Sequence, residues 1–97
     1  MKGRTPTQAE AAWMSKVARL GCIVCRRLGI SQPEVSIHHI DGRTKPGAHF
    51  LTIPLCARHH QLGGDGFIPV HPWKRRFEDA YGTQSELLEE CSRLVEG

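Results

Sequence analysis

Two half-sites, Cys22-x-x-Cys25 and Cys56-x-x-His59, stand thirty residues apart in this chain and restrict its folding more than any other feature. Donors two residues apart let one turn of backbone supply two corners of a tetrahedron, and zinc in a structural site takes four N/S ligands. A lone C-x-x-C also reads as a thiol redox pair, the reading that a thiol oxidoreductase would need. The C-x-x-H half-site turns the balance to zinc. Cys22, Cys25, Cys56 and His59 are therefore the expected ligands, with His60 as the alternative fourth, reached by a small rotation of the helix carrying both. The remaining cysteine, Cys91, falls on an apolar helical stripe and reads as a small buried hydrophobe.

A chain of 97 residues with 39% hydrophobic and 6% aromatic residues has a modest core, so a metal staple suits it. Two disulfides are the other reading of four cysteines. Residues 1–8 carry no apolar stretch of the kind a secretory signal needs, which disfavours it. No apolar run approaches the roughly 20 residues that span a bilayer. The expectation is a soluble, cytoplasmic, single domain over residues 1–97, with residues 1–4 a loose tail.

The expected order is helix, knuckle, β-hairpin, short helix, then two more helices. Thr5 reads as an N-cap with Pro6 at the first helical position and Gln8 closing a capping box. Ala9, Trp13, Val17 and Leu20 form one apolar stripe, and Gly21 is the stop. After a turn over residues 29–33, residues 35–40 (Val-Ser-Ile-His-His-Ile) read as a strand. A loop over residues 41–48 follows, and residues 50–55 return as a strand in which Pro54 marks an edge or an end. Residues 56–62 read as a short helix, and residues 63–66 as a glycine-rich break. His71-Pro72 is expected to open a helix bearing Trp73, Phe77 and Tyr81 on one face and ending at Gly82. Thr83-Gln-Ser-Glu86 is a second capping box, starting a helix packed by Leu87, Leu88, Cys91, Leu94 and Val95.

His38, His39, His49, His60 and His71 remain outside the first site. Neighbours on a helix point about 100° apart, so His59 and His60 do not easily share one metal. If His59 closes the knuckle, His60 faces the hairpin that carries His38 and His39. A second cluster is thus expected beside the first. The net charge of +3 is mild, but Arg43, Lys45 and the run Lys74, Arg75, Arg76 fall around these histidines, while Glu86, Glu89, Glu90 and Glu96 crowd the C-terminal end. A phosphate-facing surface is the reading of that distribution.

Taken together, C-x-x-C, His38-His39-Ile40 and Ile53-Pro-Leu-Cys56-x-x-His59-His60 resemble the HNH, or ββα-metal, nuclease motif. They are most similar to phage recombination-enhancement nucleases of the Ref type, described as dependent on RecA. His71-x(5)-Phe77-Glu78-x-x-Tyr81-Gly82 extends the likeness, which runs from Cys22 to Gly82. The resemblance implies an α+β fold: a small zinc-stapled ββα-metal (treble-clef-like) finger with one N-terminal and two C-terminal flanking helices. It implies His39 as general base, with His38, His60 and His71 as ligands of a catalytic divalent ion (Mn2+, Mg2+, Ni2+ or Zn2+). Arg43, Lys45, Lys74, Arg75 and Arg76 are then the candidate DNA contacts. The implied activity is metal-dependent hydrolysis of DNA phosphodiesters in phage recombination or processing, with a RecA filament as a partner and a phage or prophage origin.

Two departures stand out. The chain contains no Asn, so the middle letter of HNH is missing, and His49 or Thr52 is left to hold the loop and base. His38 and His39 would point to opposite faces of a regular strand and serve one site only where the strand ends. A zinc-stapled DNA- or protein-binding module without catalysis is the alternative function, and it would need only the first metal.

Overall fold

A computed structural model describes residues 3–97. It is a small α+β protein: helix α1 (Gln8–Arg19), helix α2 (Ile23–Arg27), strand β1 (Ser36–His39), strand β2 (Thr52–Leu55), a short wide helical segment (Arg58–Leu62), helix α3 (Lys74–Tyr81) and helix α4 (Gln84–Glu96). Among the described residues no helix is long and apolar enough to cross a membrane.

Helix α1 starts two residues later than expected. Thr7, not Thr5, is the N-cap: its hydroxyl accepts from Glu10 N at 3.1 Å and Glu10 Oε1 accepts from Thr7 N at 2.8 Å. Two overlapping T-x-x-E/Q boxes compete here. The one ending in Glu wins because a carboxylate is the stronger acceptor and sits well at the positive end of the helix dipole. The backbone bond from Thr7 accordingly holds the Glu10 carboxyl below its ordinary range. Of the expected stripe, Val17 is buried and Trp13 and Leu20 pack partly against the core, whereas Ala9 is exposed. The stop at Gly21 has two causes. Its φ of +75° suits glycine, and a Cβ there would lie 2.6 Å from Gln32 O. That close approach lets Cys22 N donate to Gln32 O at 2.9 Å, which fixes the entry to the knuckle.

The expected loose tail needs amending at its end. Residues 1 and 2 lie outside the described residues, but Arg4 is tied down. Its N–H donates to Arg43 O at 2.8 Å and its carbonyl accepts from His49 Nε2 at 2.6 Å.

Strands β1 and β2 pair antiparallel in a two-stranded sheet, with Ile37 opposite Pro54 and His39 opposite Thr52. Ile40 N donates to Leu51 O just beyond the strands. This fixes the phase of the ladder, so that Pro54 occupies a non-hydrogen-bonded position, where the missing N–H costs nothing. All four β2 residues are buried, and α1, α2 and α4 all pack on this strand. Ile53 and Leu55 join Val17, Ile23, Val24, Phe77, Leu87 and Cys91 in one core.

Helix α4 begins as expected, with Thr83 and Glu86 forming a reciprocal capping box. Leu87 and Cys91 are fully buried on it, and Leu88, Leu94 and Val95 pack at its margin. Helix α3 departs from expectation. It starts at Lys74, and Trp73 at its N-cap is half exposed rather than packed with Phe77 and Tyr81. His71 and Pro72 lie in the turn before it. The cause is two backbone bonds, Val70 N to His59 O (2.9 Å) and His71 N to His60 O (3.0 Å), which pull this segment onto the wide helix.

Candidate metal centres and active site

The short helix Arg58–Leu62 stands between two donor clusters. It is wound wider than an α-helix at its end, where Gly63 N donates to Arg58 O five residues back (2.9 Å). Adjacent His59 and His60 project from it to different sides: His59 is buried beside the cysteines, and His60 sits with His38 and His71.

In the first cluster, the ligand atoms of Cys22, Cys25, Cys56 and His59 all lie within 4.8 Å of one another, and all four residues are buried. His59 Nδ1 is 3.5 Å from Cys22 Sγ, 3.5 Å from Cys25 Sγ and 3.4 Å from Cys56 Sγ, and Cys25 Sγ is 3.9 Å from Cys56 Sγ. Zinc bonded at about 2.3 Å to sulfur and about 2.05 Å to nitrogen makes a tetrahedron with S–S edges of about 3.8 Å and S–N edges of about 3.6 Å. The donors fit such an ion. Without a cation the cluster is costly as thiolates: burial, then the neighbouring sulfurs, pushes the Cys25 thiol up to about 12, and burial raises that of Cys22. Burial likewise lowers His59 to about 4, which keeps a neutral imidazole available as a ligand. Cys22 also caps α2 through Cys25 N, so the knuckle is built into a helix start. Cys91, on α4, stands outside the cluster.

The second cluster joins β1, the wide helix and the turn before α3. The ligand atoms of His38, His60 and His71 lie within 4.8 Å of one another, and the ring centroids are 4.9 to 5.4 Å apart. Two of the rings are oriented from behind. Gln84 Oε1 accepts from His38 Nε2 at 2.6 Å, leaving His38 Nδ1 as its lone-pair atom. Ser36 Oγ, 3.5 Å from Leu55 O, hydrogen-bonds His60 Nδ1 at 2.8 Å, leaving His60 Nε2 free. Metal-binding histidines characteristically donate their other ring N–H in this way. Burial lowers His38 to about 4, and burial followed by the neighbouring His71 lowers His60, so both rings are neutral at physiological pH. Three imidazoles so grouped can hold a divalent ion while leaving positions open for other ligands.

Neither Gln84 nor Ser36 stood out in the sequence. Gln84 is itself fixed, buried at the start of α4 with its N–H donating to Glu78 Oε2 at 3.0 Å.

His39 belongs to neither cluster. His38 and His39 do face different partners, as a strand requires, but β1 ends at His39 and both border one open cleft of about 380 Å³, with Ile37, Ile40, Arg43, His60 and His71 among its walls. His39 Nε2 is 2.9 Å from His49 Nδ1, and its Nδ1 is buried with no hydrogen-bond partner among the described residues. Burial first, then Arg43 and His49, holds His39 below the ordinary histidine range, so it too is neutral. Thr52 Oγ1 donates to His49 O at 3.1 Å and accepts from Trp13 Nε1 at 3.1 Å, which ties His49 to α1.

The basic residues divide. Arg43 lines the cleft, while Lys45 is exposed beside it and pairs with Asp41 at 3.0 Å. Lys74, Arg75 and Arg76 lie on the exposed part of α3, and the Arg76 guanidinium covers the Trp73 ring at 5.5 Å.

Fold and site thus define a small α+β protein in which one short helix separates two groups of residues that could hold metal ions, with Arg43 in the wall of an adjoining cleft. The chain belongs to the family of recombination-enhancement, RecA-dependent nucleases, whose model matches residues 6–96.

Proposed function

We propose that this protein is an HNH-type, metal-dependent endonuclease that hydrolyses DNA phosphodiester bonds during recombination. The observation that carries this reading is the second donor cluster, His38, His60 and His71, beside His39, which borders the same open cleft and whose Nδ1 has no hydrogen-bond partner among the described residues. A binding module stapled by one zinc has no use for it. In this reading β1, β2 and the wide helix form the ββα-metal finger, and Cys22, Cys25, Cys56 and His59 hold a structural zinc ion that keeps His60 aimed at His38. His38, His60 and His71 would hold a divalent ion, which would supply Lewis acidity to the scissile phosphate and the leaving oxygen.

The chain's own residues do the rest. His39 Nδ1 takes a proton from the attacking water, whose oxygen bonds to phosphorus while the P–O3′ bond breaks. The released O3′ takes a proton from solvent, leaving 5′-phosphate and 3′-hydroxyl ends. Neutral His39 suits that task at physiological pH. Arg43, in the cleft wall, pairs with a phosphate beside the one cleaved, and Lys45, Lys74, Arg75 and Arg76 hold the duplex further out. Such contacts add affinity with little sequence preference. Imidazole donors favour manganese, nickel or zinc over magnesium at this position.

The partner is DNA carrying a RecA filament. Supercoiled plasmid incubated with the protein and manganese or magnesium, with and without RecA assembled on a complementary single strand, tests the reading. Nicked or linear product that requires the metal, and increases with the filament, is expected. No product under any metal, with or without RecA, would contradict it and leave the one-zinc binding module.

A further inference from the structure

We infer that His49 is a positioning residue for cleavage: it holds His39 as the Nε2–H tautomer, so that Nδ1 is its unprotonated, basic nitrogen. The inference rests on the reading of His39 as general base.

A chain of hydrogen bonds carries it. Arg4 O can only accept, so His49 Nε2, 2.6 Å away, must carry a proton. With a single ring proton, on Nε2, His49 has its lone pair on Nδ1, which is 2.9 Å from His39 Nε2. His39 must donate there. A neutral imidazole has one N–H, so His39 Nδ1 is unprotonated, and it is the buried nitrogen that no other described group engages. The proton that His39 gains from water goes to Nδ1, and the resulting imidazolium keeps its Nε2–H bond to His49. Nothing else in the step changes hands.

The arrangement is braced from two sides. Arg4 N donates to Arg43 O at 2.8 Å, joining the segment before α1 to the loop that borders the cleft. Thr52 and Trp13 secure the His49 backbone.

The Nδ1 of a histidine and the Oδ1 of an asparagine occupy similar positions relative to Cα. His49→Asn therefore keeps an acceptor for His39 Nε2–H, and His49→Ala removes it. Long-range 1H–15N correlation spectra of the zinc-loaded protein read the ring tautomers directly. His39 and His49 are both expected as Nε2–H in the wild type, with His39 keeping that form in His49→Asn and losing its single tautomer in His49→Ala. In plasmid cleavage kcat should fall by about 10²-fold in His49→Ala, with KM and bound metal unchanged, and recover to within a few-fold in His49→Asn. A wild-type spectrum showing His39 as Nδ1–H, or His49 doubly protonated, overturns the inference whatever the variants do. Full cleavage by His49→Ala alongside inactive His39→Ala overturns it as well. Absence of cleavage by the wild type instead overturns the nuclease reading, and with it any positioning role, while the spectrum still decides the tautomer.

Discussion

Replacing Cys56 with serine should empty the first metal site and leave the chain unfolded at room temperature. Three buried sulfurs and His59 Nδ1 surround one point at distances that suit zinc, and they come from α2, the end of β2 and the wide helix. A zinc ion held there would join the two halves of the chain. Structural zinc in small domains contributes an apparent binding free energy of about 10–16 kcal/mol. The whole stability of a domain this size is about 5–15 kcal/mol, so the loss is comparable to all of it. Cys91→Ala is the control: it removes a buried sulfur outside the cluster and should cost only about 1–3 kcal/mol, with zinc retained. Circular dichroism melting together with zinc released per chain checks both. A folded Cys56→Ser protein with one equivalent of zinc would show that the cluster is not a metal staple.

His39→Ala should lower DNA cleavage by about 10²- to 10⁴-fold, the usual contribution of a general base. At about 1.36 kcal/mol per decade this is roughly 3–5 kcal/mol of barrier. Fold and metal content should be unaffected, because His39 contributes to neither donor cluster and sits at the last position of β1. That combination distinguishes it from His60→Ala, in which a ligand is lost and metal content falls. Plasmid nicking followed over time, with metal analysis of the same samples, measures both. Cleavage by His39→Ala at the wild-type rate would remove His39 from the chemistry.

The parts of the site legible in the sequence are those set by local spacing. C-x-x-C and C-x-x-H announce themselves because both donors of each pair lie within one turn of backbone. Adjacent His59 and His60 had to diverge on any helix, and two clusters follow. The capping box at Thr83 was readable for the same reason, since its bonds span three residues. At α1 the spacing was ambiguous, with Thr5 and Thr7 both three residues from a suitable partner, and acceptor strength decided between them.

What the sequence did not reveal depends on contacts made across the fold. Gln84 reaches His38 over 46 residues and Ser36 reaches His60 over 24, and neither type of residue marks a metal site by itself. Arg4 acts through its backbone carbonyl, which no side-chain pattern encodes. His71 is expected both as a ligand beside His38 and His60, from the resemblance, and as the opening of a helix. Its backbone bond to His60 O holds it in the turn before α3 instead, with its ring in the second cluster. His49 and Thr52 were candidates for the place of the missing Asn, and they turn out to be linked to each other: Thr52 holds the His49 carbonyl and the His49 ring meets His39.

Native mass spectrometry of the protein saturated with zinc most directly tests the claim of two distinct metal sites on one short helix. Two ions per chain are expected, one resistant to mild chelation and one readily exchanged, with only the exchangeable ion lost in His60→Ala. A single ion per chain at saturating metal, unchanged in His60→Ala, would contradict it.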